Sequence, residues 1–319
     1  MITRGLRRRV HRRRSAQSVA VSLTSRFFVK NLVRAWAVRP DLAWPFASVD
    51  RFAALVPYDG TVEVRRIRLG RCVAERIQTT GASTQRAILY LHGGAFFTCG
   101  LNTHRSLAAR LSREANACVL NIDYRMLPSH RMSDAIDDAL SGFRWLLRRG
   151  YEPEQIVVAG DSAGGYLAFM TVLAAQHSEK VRPAGIAVIS PFTDANPATK
   201  LCHRNASRCA MFPGGALSVF TRYLLRARAA SPVDADLSSL PPVTIHVSSD
   251  ELLLPDAEIM AQRLDAAGVR CDLHLWDGQI HDFPLAADVL PEGRRAIRYI
   301  GEFVKEVTED LSGPDLTAA

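Results

Sequence analysis

The feature that most constrains this chain is a serine held between two glycines directly after an apolar run. Residues 156–159 (IVVA) predict a buried parallel strand, and residues 166–176 carry apolar side chains at helical spacing. Ser162 is therefore expected on a tight strand-to-helix turn, a nucleophile elbow. Gly160 and Gly164 fit this turn because a Cβ two residues from the serine would collide with the strand or the helix.

A second apolar run, residues 87–91 (AILYL), ends in His92, Gly93 and Gly94. Backbone N–H groups can stabilise the oxyanion of acyl transfer only where no side chain blocks them, so consecutive glycines suit that task. We predict Gly93, Gly94 and Ala163 as the oxyanion donors. The alternative is an ordinary turn that ends the strand.

A carboxylate and then a histidine are expected downstream of the serine, each after a strand. Residues 243–249 predict a strand that Asp250 follows at once, and Asp250 is the predicted acid. Asp256 is the rival, but it lies inside a helix predicted from about Pro255 to Gly268. The loop after the next strand, residues 270–276, carries His281, the predicted general base.

Several motifs together resemble the hormone-sensitive-lipase branch of the α/β-hydrolases, a group of carboxylesterases and lipases. HGGAF at residues 92–96 is similar to the family's HGGGF, and GDSAGG at residues 160–165 matches its elbow. Residues 124–128 carry its Y-R-x-x-P pattern, and residues 281–283 resemble its H-G-F. The resemblance covers about residues 61–304 and implies ester hydrolysis.

The chain departs from this family pattern at four positions. Ala95 and Asp282 replace glycines, and Ser129 and His130 stand where the family usually has an acidic residue and a histidine. Because the three triad positions are filled, these changes bear on substrate preference more than on reaction type.

The predicted fold is an α/β-hydrolase: a mostly parallel, eight-stranded sheet with helices on both faces and a helical cap. The strands are expected at residues 62–69, 72–78, 87–91, 117–123, 155–159, 185–190, 243–249 and 270–276. Residues 1–55 are predicted to form a basic tail and cap helices, and residues 56–319 the catalytic domain, with a cap insertion at about 191–240. In the family that insertion covers the serine, so Phe96, Phe192 and Phe212 are predicted to bind substrate, with core packing as the alternative.

No cofactor and no metal are expected. The six cysteines form no C-x-x-C pair and are interpreted as reduced, structural residues. The sequence contains neither a P-loop nor a G-x-G-x-x-G, and no His, Cys and carboxylate cluster has metal-ligand spacing.

The positive charge is concentrated at the N-terminus. Residues 1–40 hold eleven Lys and Arg and no Asp or Glu, so the rest of the chain is slightly acidic. Three interpretations stay open: a disordered arginine-rich tip followed by a helix on the cap, a peripheral contact with an anionic membrane, or a targeting peptide. In the helix, Leu23, Phe27, Phe28, Leu32 and Trp36 are expected near one face. Nucleic-acid binding is not expected, and the predicted location is cytoplasmic with a membrane-associated option.

The predicted function is a serine carboxylesterase for short- to medium-chain esters. Ser162 would attack the ester, His281 would move the proton, and Asp250 would orient the imidazole. An amide hydrolase or peptidase with the same triad stays open. A ligand receptor on this fold, similar to the plant gibberellin receptor, is the other alternative, and the presence of His281 argues against it.

Overall fold

A nine-stranded sheet, parallel except at one edge, organises the chain, seen in a computed structural model that describes residues 5–56, 58, 61–227 and 229–309. The spatial order is β1-β9-β8-β7-β6-β4-β5-β3-β2, and only the β2–β3 and β3–β5 pairs are antiparallel. The strands are β1 (Leu6–His11), β2 (Val62–Leu69), β3 (Cys72–Thr79), β4 (Ala87–Leu91), β5 (Cys118–Asp123), β6 (Ile156–Asp161), β7 (Gly185–Ile189), β8 (Val243–Ser248) and β9 (Cys271–Trp276).

Helices connect most of these strands. They are α1 (Ala16–Thr24), α2 (Lys30–Val38), α3 (Phe46–Ala53), α4 (Leu101–Ala115), α5 (Met132–Arg148), α6 (Ala163–Glu179), α7 (Ala198–Cys202), α8 (Asn205–Arg208), α9 (Gly214–Arg226), α10 (Leu254–Ala266) and α11 (Pro291–Glu309). A π-helical turn, Ser25–Val29, joins α1 to α2, and short 3₁₀ turns lie at Pro153–Gln155, Pro232–Asp234 and Phe283–Ala286.

Helices cover both faces of the sheet, as predicted. In β4, Leu89 and Leu91 pack into the core with α5, α6 and α10, whereas Ile88 and Tyr90 pack with α4 and α11. All five residues of β4 are fully buried, which explains why this strand is a continuous apolar run instead of an alternating one. The sheet therefore holds β4 and β6, the two strands that precede the glycine loop and Ser162, in the middle of the molecule.

The sheet has one strand more than the eight predicted. Residues Leu6–His11 (LRRRVH), interpreted as part of a tail, form β1 and pair in parallel with β9 along the sheet edge. Four of its six side chains are exposed, so the sequence lacks the alternation of apolar and polar residues that would predict a strand. Backbone pairing to β9 holds it instead, and the interpretation of a disordered arginine tip is wrong for these residues.

The helix after β1 packs on the cap segment, residues 191–240, through a face that differs from the predicted one. Of the five expected residues only Trp36 is buried, and the others are exposed. Instead the buried Lys30 Nζ donates to the carbonyls of Ser207 (3.1 Å) and Cys209 (2.6 Å), and Ser25 Oγ donates to that of Ala210. The π turn shifts the helical phase, which the regular 3.6-residue period assumed in the prediction does not include.

None of the helices among the described residues is both long enough and apolar enough to cross a membrane.

Candidate active site

Ser162 lies at the junction of β6 and α6 in a strained backbone conformation, with φ 51° and ψ −114°. The two glycines around it are sterically required. A Cβ on Gly160 would lie 2.4 Å from the carbonyl oxygen of Gly164, and one on Gly164 would lie 1.9 Å from that of Leu91. The elbow predicted from the sequence is therefore present, and it presents the serine at the carboxyl end of the central strands.

His281 meets Ser162 from the loop after β9. Its Nε2 lies 2.9 Å from Ser162 Oγ, which is hydrogen-bonding distance for proton transfer. His281 is 2% exposed and Ser162 is 9% exposed, so both residues are largely shielded from bulk solvent. The ring of Phe212 stands edge-on to the imidazole, with ring centres 4.9 Å apart.

The carboxylate on the far side of this imidazole belongs to Glu251. Its Oε1 lies 3.2 Å from His281 Nδ1, while its Oε2 accepts hydrogen bonds from Ser190 Oγ (2.7 Å) and the backbone N–H of Ser248 (3.1 Å). Glu251 is 1% exposed. Every oxygen of this side chain is thus engaged, which fixes its orientation towards the histidine.

The prediction that Asp250 pairs with His281 is wrong. Asp250 is half-buried, and among the described residues its carboxylate accepts only a long hydrogen bond, 3.4 Å, from Ser249 Oγ. Strand β8 ends at Ser248, and the turn that follows points the second carboxylate inwards instead of the first. The sequence did contain a signal in the adjacent carboxylate Glu251, since neighbouring side chains point in different directions and either carboxylate after β8 could face the histidine.

The rival carboxylate, Asp256, has a structural task on α10. Its Oδ1 lies 2.7 Å from the buried Nζ of Lys200, and its Oδ2 accepts the N–H groups of Thr193 and Asp194. Asp256 and Lys200 are both essentially fully buried. This ion pair ties the cap segment to α10, away from the imidazole.

The N–H groups predicted as oxyanion donors are not all unpaired in the structure. The N–H of Gly93 donates to Asp161 Oδ1 at 3.0 Å, so the prediction that it is free for an oxyanion is wrong. Among the described residues, the N–H groups of Gly94 and Ala95 have no acceptor, and that of Ala163 begins α6. Ala95 has a φ of 54°, and its N–H was not considered at the sequence level because the motif emphasises the glycines.

Asp161 organises the loop that carries these donors. Besides Gly93, its carboxylate accepts the hydroxyl of Tyr90 (2.7 Å) and faces Nε2 of His104 (3.1 Å). Burial alone would raise the pKa of Asp161, but the facing His104 outweighs burial and lowers it. A Cβ on Gly93 would lie 2.2 Å from Asp161 Oδ2, so glycine is required for this close approach.

A second carboxylate touches the imidazole. Asp282 Oδ2 lies 3.0 Å from Nε2 of His281, on the side that also faces Ser162. Burial by itself would lower the pKa of His281, but the charges of Asp282 and Glu251 outweigh it and hold that pKa well above its usual range. The sequence gave no indication of this contact except that Asp282 replaces the glycine of the family motif.

The three predicted substrate-binding aromatics occupy different places. Phe212 contacts His281 directly. Phe96 and Phe192 are almost fully buried and pack around Phe220 of α9, with ring centres 6.2 and 5.3 Å away. Phe192 N–H also donates to the carbonyl of Ser162. The interior of the cap segment is thus lined with aromatic rings next to the elbow.

Within the described part of the chain, no group of three His, Cys, Asp or Glu side chains could hold a metal ion. All six cysteines are free thiols, and only Cys202 is exposed. The absence of a cofactor stays a prediction.

Comparison with known proteins gives one family. The model of a family described as having the alpha/beta hydrolase fold matches residues 88–285. A relative named Esterase LipU, from Mycobacterium tuberculosis, is 42% identical over 299 residues, with 85% of this chain and 99% of the relative covered.

Solved structures give the same answer. A crystal structure of EstE5 soaked with p-nitrophenyl butyrate superposes with a TM-score of 0.82 at 32% identity, covering 93% of this chain and 100% of EstE5. An esterase from the bacterial hormone-sensitive lipase family superposes with a TM-score of 0.82 at 30% identity, covering 93% of this chain and 99% of its own. This chain therefore belongs to the α/β-hydrolase fold family and is a carboxylic ester hydrolase of the hormone-sensitive-lipase type.

Proposed function

We propose that the enzyme hydrolyses short- to medium-chain carboxylic esters through a covalent acyl-enzyme on Ser162. His281 is the general base, and Glu251 takes the role first expected of Asp250. The observation that carries the proposal is the continuous chain of contacts from Ser162 Oγ to His281 Nε2 (2.9 Å) and from His281 Nδ1 to Glu251 (3.2 Å). Nucleophile, base and orienting carboxylate in this order are the parts that acyl transfer needs.

In the first step Ser162 Oγ attacks the ester carbonyl carbon and its proton moves to His281 Nε2. Collapse of the tetrahedral intermediate breaks the bond to the leaving alcohol, which takes that proton from the imidazolium. Water then attacks the acyl-enzyme by the same route and releases the acid. Glu251 holds the proton on Nδ1, so Nε2 is the nitrogen that exchanges protons with Ser162.

The oxyanion of both intermediates is assigned to the N–H groups of Gly94, Ala95 and Ala163. Backbone donors fixed by a glycine loop and a helix N-terminus stabilise developing charge without reorganising. Asp161 supports this arrangement because it engages the N–H of Gly93 and holds the loop against β6.

The size of the acyl group is inferred from the aromatic interior of the cap segment. Phe96, Phe192 and Phe220 pack against one another beside the elbow, and Phe212 lies over His281. From this packing we infer a bounded pocket instead of an open groove, which would suit acyl chains of about two to eight carbons. The butyrate ester with which the EstE5 crystal was soaked lies within that range.

The test is a series of p-nitrophenyl esters from two to sixteen acyl carbons, with a matched p-nitroanilide. We expect kcat/KM to rise by up to about fourfold per methylene and then to fall once the pocket is full. Ser162→Ala should lower kcat on the order of a millionfold. A specificity constant that climbs through sixteen carbons contradicts the size inference, and faster anilide cleavage would make the enzyme an amide hydrolase.

We also propose that residues 1–40 make a peripheral contact with anionic membranes. Phe27, Phe28 and Leu32 are 66%, 73% and 61% exposed on the outer face of the N-terminal helices. Arg26 and Arg34 lie beside them, and the segment contains no acidic residue. Aromatic side chains for insertion next to cations for lipid headgroups are typical of an interfacial helix.

Vesicle co-sedimentation tests this contact. Binding to anionic but not to neutral vesicles, lost in Phe27→Ser/Phe28→Ser, is the expected outcome. Leu225→Ser is the matched control, because Leu225 is 69% exposed on α9 outside the segment. If the wild type and the double variant co-sediment equally with anionic vesicles, the proposed membrane contact is wrong.

A further inference from the structure

Asp282, the residue after His281, is almost fully buried beside the imidazole. It is 7% exposed and adopts a left-handed backbone conformation, with φ 51° and ψ 37°. Its N–H donates to Ser190 Oγ at 3.3 Å, the same hydroxyl that binds Glu251. Asp282 Oδ1 has no hydrogen-bond partner among the described residues, so Oδ2, at 3.0 Å from His281 Nε2, carries the polar contact of this carboxyl group.

Two groups therefore compete for one nitrogen. Nε2 of His281 has a single lone pair or a single proton to offer, and it lies 2.9 Å from Ser162 Oγ and 3.0 Å from Asp282 Oδ2. Two acceptor atoms at that distance repel each other unless a proton lies between them. The Asp282–His281 contact thus requires one proton, carried either by Nε2 or by Oδ2.

We propose that Asp282 is a positioning residue that retains a proton on the Nε2 side of His281 and so moves the acid limb of activity to higher pH. The inference rests on the proposed role of His281 as general base. While the shared proton is present, Nε2 cannot accept the hydroxyl proton of Ser162. Loss of that one proton to solvent frees the lone pair, and the catalytic cycle described above can begin.

The charges around the pair favour retention of the proton. Glu251 faces Nδ1 of the imidazole from the turn after β8. Asp161, at the end of β6, interacts electrostatically with Asp282, and its own carboxylate is paired with His104 of α4. Burial first, and then Asp161, raise the pKa of Asp282 to about 7, even though His281 lowers it.

The remaining titratable neighbours supply no cation that would release the proton. Tyr90 on β4 donates its hydroxyl to Asp161, and burial raises its pKa well above the usual value. Cys99, in the loop before α4, has its pKa raised to about 12 by burial, so it is neutral. Ser162 and Ser190 are uncharged. His92 is also neutral, because burial lowers its pKa to about 4. Three carboxyl groups and three histidines thus share this buried region.

A glycine here would have a different consequence. Without the carboxyl group, His281 Nε2 faces only Ser162, and Glu251 alone raises the basicity of the ring. An opposite charge within about 4–6 Å shifts a pKa by about one to three units. Removing the charge of Asp282 should therefore lower the acid-limb midpoint of kcat/KM by about one to three pH units.

The experiment compares pH profiles of kcat/KM for p-nitrophenyl butyrate between pH 5 and 10, read at the isosbestic wavelength of p-nitrophenol. The variants are Asp282→Asn and Asp282→Gly, both of which tolerate a positive φ. Asp250→Asn is the matched control, since it removes a neighbouring carboxylate that does not contact His281. We expect both Asp282 variants to move the midpoint down by at least one pH unit and the control to leave it unchanged.

A midpoint within about 0.3 units of wild type in both variants would overturn the proposal, as would a loss of activity by the same factor at every pH, which is the signature of a merely structural role. The rate of Ser162 labelling by a fluorophosphonate, measured over the same pH range, gives a second profile that requires no ester turnover. If the wild type labels but hydrolyses no ester, the proposed function fails while the Asp282 inference is still decided by the labelling profiles.

Discussion

At the scale of single residues, the imidazole of His281 is the group that contacts Ser162 and both neighbouring carboxyl groups. Glu251 and Asp282 approach its two nitrogens from opposite sides, and Ser190 connects both carboxyl-bearing residues through one hydroxyl. Because each of these contacts is buried, replacing a single polar atom in one of these side chains should change the activity strongly.

The first prediction concerns the proposal that Glu251, and not Asp250, orients the imidazole of His281. Glu251→Gln should lower kcat by about ten-thousandfold, because an amide cannot hold the imidazole in the required tautomer or stabilise the imidazolium. Asp250→Asn should keep kcat within about twofold of wild type, as expected for a side chain outside the reacting set. Steady-state kinetics on one ester measures both. The assignment is lost if Asp250→Asn proves the more damaging of the two.

At the scale of elements, a buried ion pair joins the cap segment to helix α10. Lys200 of α7 donates to Asp256 of α10 and to the carbonyls of Asp194 and Asn196. Breaking one side of such a pair leaves the other charge buried without a counterion.

The second prediction follows from this pair. Asp256→Ala should lower the free energy of unfolding by about 3–5 kcal/mol, because Lys200 stays buried and charged. Glu258→Ala on the same helix is the control: its partner Arg8 is exposed, so its loss should cost under about 1 kcal/mol. Urea unfolding of the two variants provides the measurement. Similar midpoints for both would mean that the buried pair does not fasten the cap segment.

At the scale of the whole molecule, the edge strand β1 supplies the outermost ring of a stack of histidines that runs across strands β1, β9 and β8. His11, His274 and His246 belong to three different strands, and consecutive rings lie 5.3 and 4.3 Å apart. Burial is the main cause that lowers the pKa of His11 to about 4 and that of His274 to about 3, and it lowers the pKa of His246 further. The folded protein therefore keeps all three neutral in mildly acidic solution.

The third prediction is the acid sensitivity that this stack causes. The unfolded chain binds protons on these histidines below about pH 6.5, whereas the folded chain does not until about pH 4, so the unfolded state binds more protons in between. Stability should consequently fall as the pH drops from about 6.5 towards 4. His11→Phe keeps a ring on Trp276, where the stacking distance is 3.8 Å, but cannot titrate.

Thermal unfolding at pH 7 and pH 5 measures the effect. His11→Phe should lose less Tm between the two pH values than wild type does, while the exposed His177→Gln should lose as much as wild type. An equal loss in His11→Phe would show that the stack does not set the acid limit.

Local sequence was sufficient to predict the elbow, the glycine loop, eight strands and the histidine, His281, that lies beside Ser162. Each of these depends on neighbours within a few residues: an apolar run for a strand buried on both faces, and glycine where a Cβ would meet backbone, as at Gly160 and Gly164. Those requirements are written in the chain itself, so pattern and spacing were sufficient to find them.

Only the tertiary structure decided which carboxylate faces His281, which N–H groups of the glycine loop lack an acceptor among the described residues, and the ninth strand. Asp250 and Glu251 are both carboxylates after β8, and the turn between them and His281 selects the second. The N–H of Gly93 is already hydrogen-bonded, because Asp161, distant in sequence, accepts it. Strand β1 exists because β9 offers an unpaired edge, a property of the assembled sheet that LRRRVH does not reveal. In each case the deciding partner lies far along the chain, so local pattern could not identify it.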